Sequence, residues 1–357
     1  MAAPLSIRRI QVSVFFISAA LISYQILLFK MFSIQYWYHF AYLIISIALL
    51  GFGTSGTVIF LFRRTLKDHF PHVLFFCALL FVLSMWLNIY LNRMIAFNPL
   101  MIVWDKSEIF RLLYLSLSLF IPFFLGALCI GVSFVVASNY IHRIYFANLA
   151  GSGLGSLIVL LTFLHIGPLE IMFIISIITI LAALGGSTTR VRQGTVLVAG
   201  VATILIYVFM FRSMPLPMSN FKELSQAENL TAAKKELEIF GPLGLVTVLD
   251  SPAYHYLPDL SLNCPYPLTR QKGLFLDGNT VGALNEFSGN LDDVSFMDYR
   301  TNSVAYKILN HPDVLIIGGG SGTEILNAMY HGAKGISVVE MNRDIIRLMQ
   351  GQYKIFS

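Results

Sequence analysis

The sequence has little charge and little cysteine. Asp, Glu, Lys and Arg make up 12% of its 357 residues, whereas about a quarter of a water-soluble globular chain is charged. This low charge excludes an ordinary soluble globule, and the 56% content of hydrophobic residues excludes a disordered chain, which would be polar. The three cysteines, Cys77, Cys129 and Cys264, include no CxxC pair, so they indicate neither a disulfide scaffold nor a zinc site.

Acidic residues are scarce in the first part of the chain. Residues 1–212 contain four Asp and Glu against 13 Lys and Arg, a net charge of +9, whereas residues 213–357 have a net charge of −4. The cations of the first part flank apolar runs, as the charges that orient membrane proteins do. The acidic second part argues against nucleic-acid binding. We therefore expect a lipid bilayer, and no nucleic acid, among the partners of the chain.

Long apolar runs fill residues 1–212. Each run is close to the roughly 20 residues that cross about 30 Å of hydrocarbon. The runs lie near residues 10–29, 38–62, 72–92, 113–138, 146–164, 167–186 and 195–211. They predict a multi-pass α-helical membrane domain of seven helices, with six as the alternative because the last run is the shortest. Ionisable groups are few inside the runs, which gives a transporter little support.

Small residues recur in two of these runs. They are Gly51, Gly53 and Gly56 in one run and Gly151, Gly153 and Gly155 in another. Neither set follows a strand or precedes a suitably spaced acid, so we expect them to serve close helix packing and not nucleotide binding.

Lys and Arg are distributed unevenly between alternate loops. The N-terminal tail and the loops on its side contain eight of them, and the opposite side contains three, Arg93, Lys106 and Arg111. The positive-inside rule then predicts a cytoplasmic N-terminus in the cell membrane. Seven crossings would leave everything after residue 212 outside the cytoplasm.

The second part of the chain begins with a change of composition. Residues 213–240 are polar and rich in helix formers, most clearly at 232–237, and predict a helical linker. The two prolines within residues 214–217 end the last membrane helix and mark the start of this linker.

Short alternating runs with turn signals follow. They lie at residues 245–249, 254–257 and 274–276, and the last runs into an Asp-Gly turn. They predict a small antiparallel β subdomain over residues 241–297. Residues 298–309 predict a helix.

The last part of the chain has the order strand, glycine turn, helix, strand, acid. Residues 314–317 are a continuous apolar run, typical of a strand buried on both faces of a parallel sheet. After a run of glycines, a helix is predicted over residues 323–330, and a second strand over 336–339 ends at Glu340. This order is that of the nucleotide-binding half of a doubly wound α/β sheet. Because such a sheet has roughly five or more strands, residues 298–357 predict an incomplete Rossmann domain, and we expect the chain to be a fragment of a longer product.

The glycine turn and the acid predict an adenosyl ligand. Gly318, Gly320 and Gly322 let backbone N–H groups and a helix N-terminus approach a ligand. Glu340 comes 22 residues after Gly318, near the spacing of about 20 at which an acid binds ribose hydroxyls. Thr323 stands where a dinucleotide site has its third glycine, which favours S-adenosylmethionine over NAD. The alternative is a turn of this type that serves folding only.

Three segments of this part, residues 274–278, 314–322 and 338–340, resemble spermidine synthases, the polyamine aminopropyltransferases. Some bacterial members of that family have a multi-helix membrane region in front, which residues 23–26, 52–56 and 147–151 resemble as well. The resemblance implies a small β domain ahead of a methyltransferase-like Rossmann domain. It also implies S-adenosylmethionine or decarboxylated S-adenosylmethionine as a co-substrate.

The resemblance also assigns roles to single residues. It places the glycine turn, Gly318, Gly320, Ser321 and Gly322, against the adenosyl ligand and Glu340 on its ribose.

The chain departs from the family at three places. Ser321 stands where the family usually has an acid that holds the aminopropyl amine, and Val281 stands where it has a glutamine. Of the family's Tyr-His-Glu triplet only an acid remains, Asp298, which is thus the one catalytic candidate. These departures leave the small-molecule acceptor open between an amine that receives an aminopropyl group and another molecule that receives a methyl group.

Two functions are consistent with these patterns. The first is a membrane-anchored S-adenosyl-ligand-dependent transferase. The second is a non-enzymatic membrane transporter or scaffold with a degenerate, nucleotide-sensing Rossmann domain. Adenosyl ligands are made in the cytosol, so we expect the soluble part in the cytoplasm, although seven crossings place it outside.

Overall fold

The computed structural model describes residues 5–95, 97–187, 189–211, 216–354 and 356. The chain divides into two compact units, Met1–Pro217 and Met218–Ser357, which we name the membrane unit and the C-terminal unit. The boundary falls at the end of the expected proline break at residues 214–217, of which 214 and 215 lie outside the described residues.

Helices build the membrane unit. Seven helices among its described residues are long and apolar enough to cross a membrane, which confirms the multi-pass membrane protein expected from the sequence. The helices are α1 (Ile7–Gln35), α2 (Phe40–Leu61), α3 (Arg63–Asp68), α4 (Phe70–Met94), α5 (Ser107–Val136), α6 (Ile141–Thr162), α7 (Pro168–Gly186) and α8 (Arg190–Ile206). The six-residue α3 is too short to cross.

Helix α1 packs most extensively against α6 and α7. Two glycines of α6 permit the contact with α1, because a Cβ at Gly151 would strike the carbonyl oxygen of Phe15 and one at Gly155 would strike that of Ala19. These glycines therefore serve close helix packing, as the sequence indicates. Gly153, on the same helix, has no such neighbour.

The C-terminal unit begins with the short helix α9 (Glu223–Ala227) and a four-stranded antiparallel sheet. Its strands are β1 (Lys234–Gly241), β2 (Gly244–Asp250), β3 (Gln271–Leu276) and β4 (Asn279–Asn285), and they pair in chain order. Asp277 and Gly278 join β3 to β4 with φ angles of 50° and 75°, as a tight hairpin turn requires. This sheet confirms the small antiparallel β subdomain.

The expectation of a helical linker over residues 213–240 is wrong for most of that range. Among residues 216–240, which the structure describes, only α9 is helical, and residues 234–240 belong to β1. Leu237 and Ile239 alternate with acidic residues and pack against the cluster around Val246. Pairing with β2 and this burial therefore outweigh the helix propensity of Ala, Lys and Glu.

Residues 298–309 do not form the single helix expected. Two 3₁₀ segments, Leu291–Tyr299 and Thr301–Ser303, come before helix α10 (Val304–Ile308). The interruption falls at Arg300, whose backbone is extended while its side chain binds two carboxylates.

Residues 254–257 do not form the expected strand. Tyr254 instead packs its ring against Phe275 of β3, with ring centroids 6.0 Å apart. Tyr254 and Tyr256 thus pack against the sheet without joining it.

The last part of the chain contains two parallel strands. They are β5 (Asp313–Ile317) and β6 (Gly335–Val339), joined through α11 (Thr323–Tyr330), and α12 (Arg343–Gln350) follows β6. Ile345 and Leu348 of α12 pack against the antiparallel sheet. The order of elements is the expected one, and its identity as a Rossmann fold stays a prediction.

Candidate functional site

The glycine turn between β5 and α11 depends on its glycines. Gly318, Gly320 and Gly322 have φ angles of 84°, 49° and 82°, in the left-handed region that L side chains rarely adopt. The Gly318 N–H donates to the carbonyl oxygen of Val339 at 2.8 Å, which continues the ladder between β5 and β6. Gly322 precedes the first residue of α11, and its carbonyl oxygen accepts the first helical hydrogen bond, from Leu326.

Glu340 spans from the end of β6 to this turn. Its Oε2 accepts the N–H of Gly320 at 3.0 Å, and its Oε1 accepts the N–H of Asn342 at 2.7 Å. Two backbone donors therefore hold the half-buried carboxylate in one orientation. A carboxylate has about four acceptor sites, so each oxygen keeps room for one more donor.

A cavity of about 340 Å³ opens beside the turn, and we name it the larger cavity. Its lining includes Gly320 and Glu340, together with the apolar side chains of Ile345, Ile346 and Met349 of α12. Its volume is within the range of about 300–1,000 Å³ found for small-molecule sites. A carboxylate facing an apolar wall suits a ligand with hydroxyl groups at one end and a flat apolar part at the other.

A second cavity of about 180 Å³ also borders Gly322, and we name it the smaller cavity. Ser321 and Leu326 line it, together with Asn285 at the end of β4 and Phe287 just after it. Gly322, Ile325 and Met349 line both cavities, so the two cavities adjoin.

Ser321 therefore lies apart from the other residues predicted to bind the ligand. It lines the smaller cavity and not the larger one, and it is 5% exposed. A Cβ at Gly282 of β4 would overlap its hydroxyl oxygen, so that glycine makes room for it. Gly318 lines neither cavity and serves the pairing of β5 with β6.

Asp298 lies outside both cavities. Its Oδ1 is 3.2 Å from Nζ of Lys307 and 3.4 Å from Nε2 of His331, and its side chain is 43% exposed. The structure thus brings Gly320, Gly322 and Glu340 together around one cavity and leaves the catalytic candidate away from it.

The contribution of α12 to the larger cavity was not predicted from the sequence, although the apolar residues of this helix show a helical pattern. Ile345, Ile346 and Met349 have the spacing of one helix face, but nothing in one strand–turn–helix unit indicates what that face covers. In the described part of the chain, no three His, Cys, Asp or Glu side chains come together as a metal site.

The membrane unit has a polar cluster of its own. Asn92 of α4 accepts a hydrogen bond from the Tyr36 hydroxyl at 2.9 Å and donates to Gln35 Oε1 at 3.2 Å. One turn earlier, Asn88 donates to the Ser118 hydroxyl at 2.8 Å. The cluster borders a cavity of about 20 Å³, enough for roughly one water molecule. The spacing of Asn88 and Asn92 by four residues places both on one face of α4, but it does not indicate their partners.

No protein-family model, no curated protein and no solved structure matches this chain. Its function therefore has to be inferred from the geometry of the two cavities.

Proposed function

We propose that this chain is a membrane-anchored transferase resembling spermidine synthase, which binds S-adenosylmethionine or decarboxylated S-adenosylmethionine in the larger cavity. It would transfer a methyl or aminopropyl group to a small-molecule acceptor. The observation that supports this most is the position of Glu340, held by two backbone N–H groups against the glycine turn on the wall of that cavity.

The residues around the larger cavity fit an adenosyl ligand. The remaining acceptor sites on Glu340 suit the two hydroxyls of a ribose. Ile345, Ile346 and Met349 offer an apolar surface for a purine ring. Gly319 and Gly320 allow the turn to pack closely on its neighbours, since a Cβ at Gly319 would come within 2.7 Å of Val338 Cγ1 and one at Gly320 within 3.1 Å of Val281 Cγ1.

The bound ligand would supply an alkyl group on a positively charged sulfur, which leaves as a neutral thioether when the lone pair of the acceptor bonds to the alkyl carbon. The positive charge passes to the acceptor, which would then release its proton to water. The residues of this chain would hold the adenosyl ligand and the acceptor and orient them toward each other. Among the described residues that line the two cavities, Glu340 alone is ionisable. The proposed chemistry therefore relies on placing the acceptor, and not on a base from these walls.

Calorimetry on the full chain in lipid nanodiscs tests this proposal. We expect S-adenosylmethionine or its decarboxylated form to bind and NAD not to bind. Glu340→Gln removes a charged acceptor from the ribose, which should weaken binding by about 1.5–3 kcal/mol, roughly 10- to 150-fold.

Asp298→Asn is the matched control, because it also removes one carboxylate charge but lies outside both cavities. Its affinity should equal that of the wild type. Unchanged affinity in Glu340→Gln, or an equal loss in both variants, would contradict the ribose assignment.

The polar cluster of the membrane unit favours a second candidate function, a transporter or scaffold with a nucleotide-sensing C-terminal unit. Buried Gln35, Asn88 and Asn92 inside membrane helices are the kind of groups that mark a pathway or binding site there. Adenosyl-ligand binding without alkyl transfer to any acceptor, together with a transport defect in Asn88→Leu, would favour this alternative.

We further propose a place in the cell membrane with the N-terminus in the cytoplasm and the C-terminal unit also cytoplasmic, where adenosyl ligands are made. This requires an even number of crossings. Helix α8 is the candidate not to cross, since only Val196 and Thr203 of its residues are buried and its removal from the helix bundle would cost the least packing. Reporter fusions after Pro217 test this, and alkaline phosphatase activity there would overturn it.

A further inference from the structure

The smaller cavity has walls that suit a different molecule from the one expected of a polyamine enzyme. Most of its lining is apolar, including Phe287, Leu326 and Met329. Its two polar lining residues, Asn285 and Ser321, are neutral, and no ionisable side chain is among the described residues that line it. A charged amine placed there would lose its hydration without gaining a carboxylate partner, which is strongly unfavourable.

Hydrogen bonds within the protein determine which groups of Asn285 remain available to a ligand. Its Oδ1 accepts from Gln271 Nε2 at 2.7 Å. Its Nδ2 donates to the carbonyl oxygen of Ala283 at 3.2 Å and to Thr323 Oγ1 at 3.1 Å. An amide nitrogen has two protons, so both are already used. Asn285 therefore has no donor left for a ligand.

Counting protons in the same way determines whether the Ser321 hydroxyl donates or accepts. Thr323 Oγ1 has one proton, which it donates to the carbonyl oxygen of Ala283 at 2.9 Å. Ser321 Oγ lies 3.0 Å from Thr323 Oγ1, and the arrangement that satisfies both contacts makes Ser321 the donor. The Ser321 oxygen then keeps only lone pairs for a ligand, so its partner must itself donate.

On the basis of the proposed function, we infer that the smaller cavity holds the acceptor, and that the acceptor is an uncharged molecule with an apolar body and one hydroxyl or neutral N–H that donates to Ser321. A cavity of about 180 Å³ suits one aromatic ring or a short alkyl chain, since a cavity of about 150 Å³ takes up benzene. Because Gly322, Ile325 and Met349 line both cavities, such an acceptor would lie next to the adenosyl ligand.

Binding of small probes to the full chain in nanodiscs, with and without saturating S-adenosylmethionine, tests this inference. Phenol is the neutral donor probe, anisole lacks the donor, and putrescine is a dication at neutral pH. We expect phenol to bind more tightly than anisole, by about 3- to 10-fold for one hydrogen bond, and putrescine not to bind. Ser321→Ala should remove the preference for phenol over anisole while leaving S-adenosylmethionine affinity unchanged.

Met329→Glu sharpens the test, because Met329 lines the smaller cavity and is 42% exposed, so a charge there is tolerated by the fold. This variant should lose phenol binding and gain putrescine binding. Met341→Glu is the matched control, since Met341 is 78% exposed and lines neither cavity, and it should behave as the wild type.

The outcomes separate this inference from the proposed function. Putrescine binding more tightly than phenol to the wild type, or a phenol preference that survives Ser321→Ala, overturns the inference even when S-adenosylmethionine binds. Phenol binding that depends on Ser321 in a chain that does not bind S-adenosylmethionine supports the chemistry of the smaller cavity and overturns the proposed function.

Discussion

The two units bury polar side chains in different ways. In the membrane unit, the amides Gln35 and Asn92 satisfy each other, and Asn92 also binds the Tyr36 hydroxyl. The one carboxylate described as buried there, Glu108, lies in the first turn of α5, with Arg111 2.6 Å away. The C-terminal unit contains such an amide pair as well, Gln271 with Asn285, but it also buries two cations, Lys222 and Arg300, which are 1% and 6% exposed.

The partners available to each side chain account for this difference. Withdrawing an ion from water costs several kcal/mol unless oxygen atoms replace its hydration. The loops of the C-terminal unit provide such oxygens: Arg300 binds the carboxylates of Asp259 and Glu324, and Lys222 binds the carbonyl oxygen of Asp277 at 2.7 Å. Backbone carbonyls inside a membrane helix are already used in the helix, so neutral amides that pair with one another are the less costly polar groups there.

The largest expected effect comes from Arg300→Met. It leaves Asp259 and Glu324 without their cation, and breaking a buried pair costs about 3–5 kcal/mol. We expect a loss of unfolding free energy near the lower end of this range, because the two carboxylates are 19% and 38% exposed and water screens their charges. Chemical unfolding of the C-terminal unit in the full chain, followed by amide hydrogen exchange in α11, measures it.

Lys307→Met is the control for Arg300→Met, since it removes a cation whose pair with Asp298 is exposed. Exposed pairs contribute about 0–1 kcal/mol. Equal destabilisation by the two variants would mean that the burial of Arg300 has no special weight in this unit.

Lys222 gives the next effect, which depends on pH. Burial lowers the pKa of Lys222 from 10.5 to about 8, against the opposing charges of Asp277 and Glu223. Between pH 8 and 10.5 the unfolded chain therefore binds more protons than the folded one, so stability should rise with pH in this window. The gain from pH 8 to 10 should be about 2 kcal/mol, at about 1.4 kcal/mol per pKa unit.

Lys222→Met removes the titrating group and its buried charge. The difference in unfolding free energy between wild type and variant, measured at several pH values, should increase in favour of the wild type from pH 8 to 10. A difference that stays constant over this window would show that Lys222 keeps an ordinary pKa in the folded chain.

The sequence was sufficient for features that depend on local physics. The length and hydropathy of the apolar runs predicted seven membrane helices because crossing hydrocarbon requires both. The Asp277–Gly278 turn was predictable because few residues adopt its left-handed backbone. The positions of the glycine turn and of Glu340 were also predictable, because the spacing between them follows from a single strand–turn–helix–strand unit.

Features that depend on distant partners were not predictable from one sequence. Residues 232–237 favour a helix by propensity, and only the pairing of β1 with β2 makes most of them a strand. The neighbours of Ser321 in sequence predict that it belongs to the ligand turn, but it lines the smaller cavity, where Gly282 of β4 leaves room for its hydroxyl. The polar cluster of the membrane unit joins α1 to α4, 57 residues apart at Gln35 and Asn92, and no local pattern encodes that contact.

The smallest expected effect concerns the hydrogen bonds between neutral side chains in the membrane unit. Asn92→Leu and Tyr36→Phe each break the 2.9 Å hydrogen bond between the two side chains, and their double mutant gives the coupling energy. Hydrogen bonds between membrane helices couple by about 0.6 kcal/mol on average and by about 1.7 kcal/mol at most, so we expect a value in that range from thermal unfolding in detergent. Tyr38→Phe combined with Asn92→Leu is the control pair and should show no coupling, because Tyr38 is 62% exposed and stacks on His39. A coupling above about 3 kcal/mol, the cost of breaking a buried ion pair, would contradict the proposed difference, because the neutral pair would then contribute as much as the buried ion pairs of the C-terminal unit.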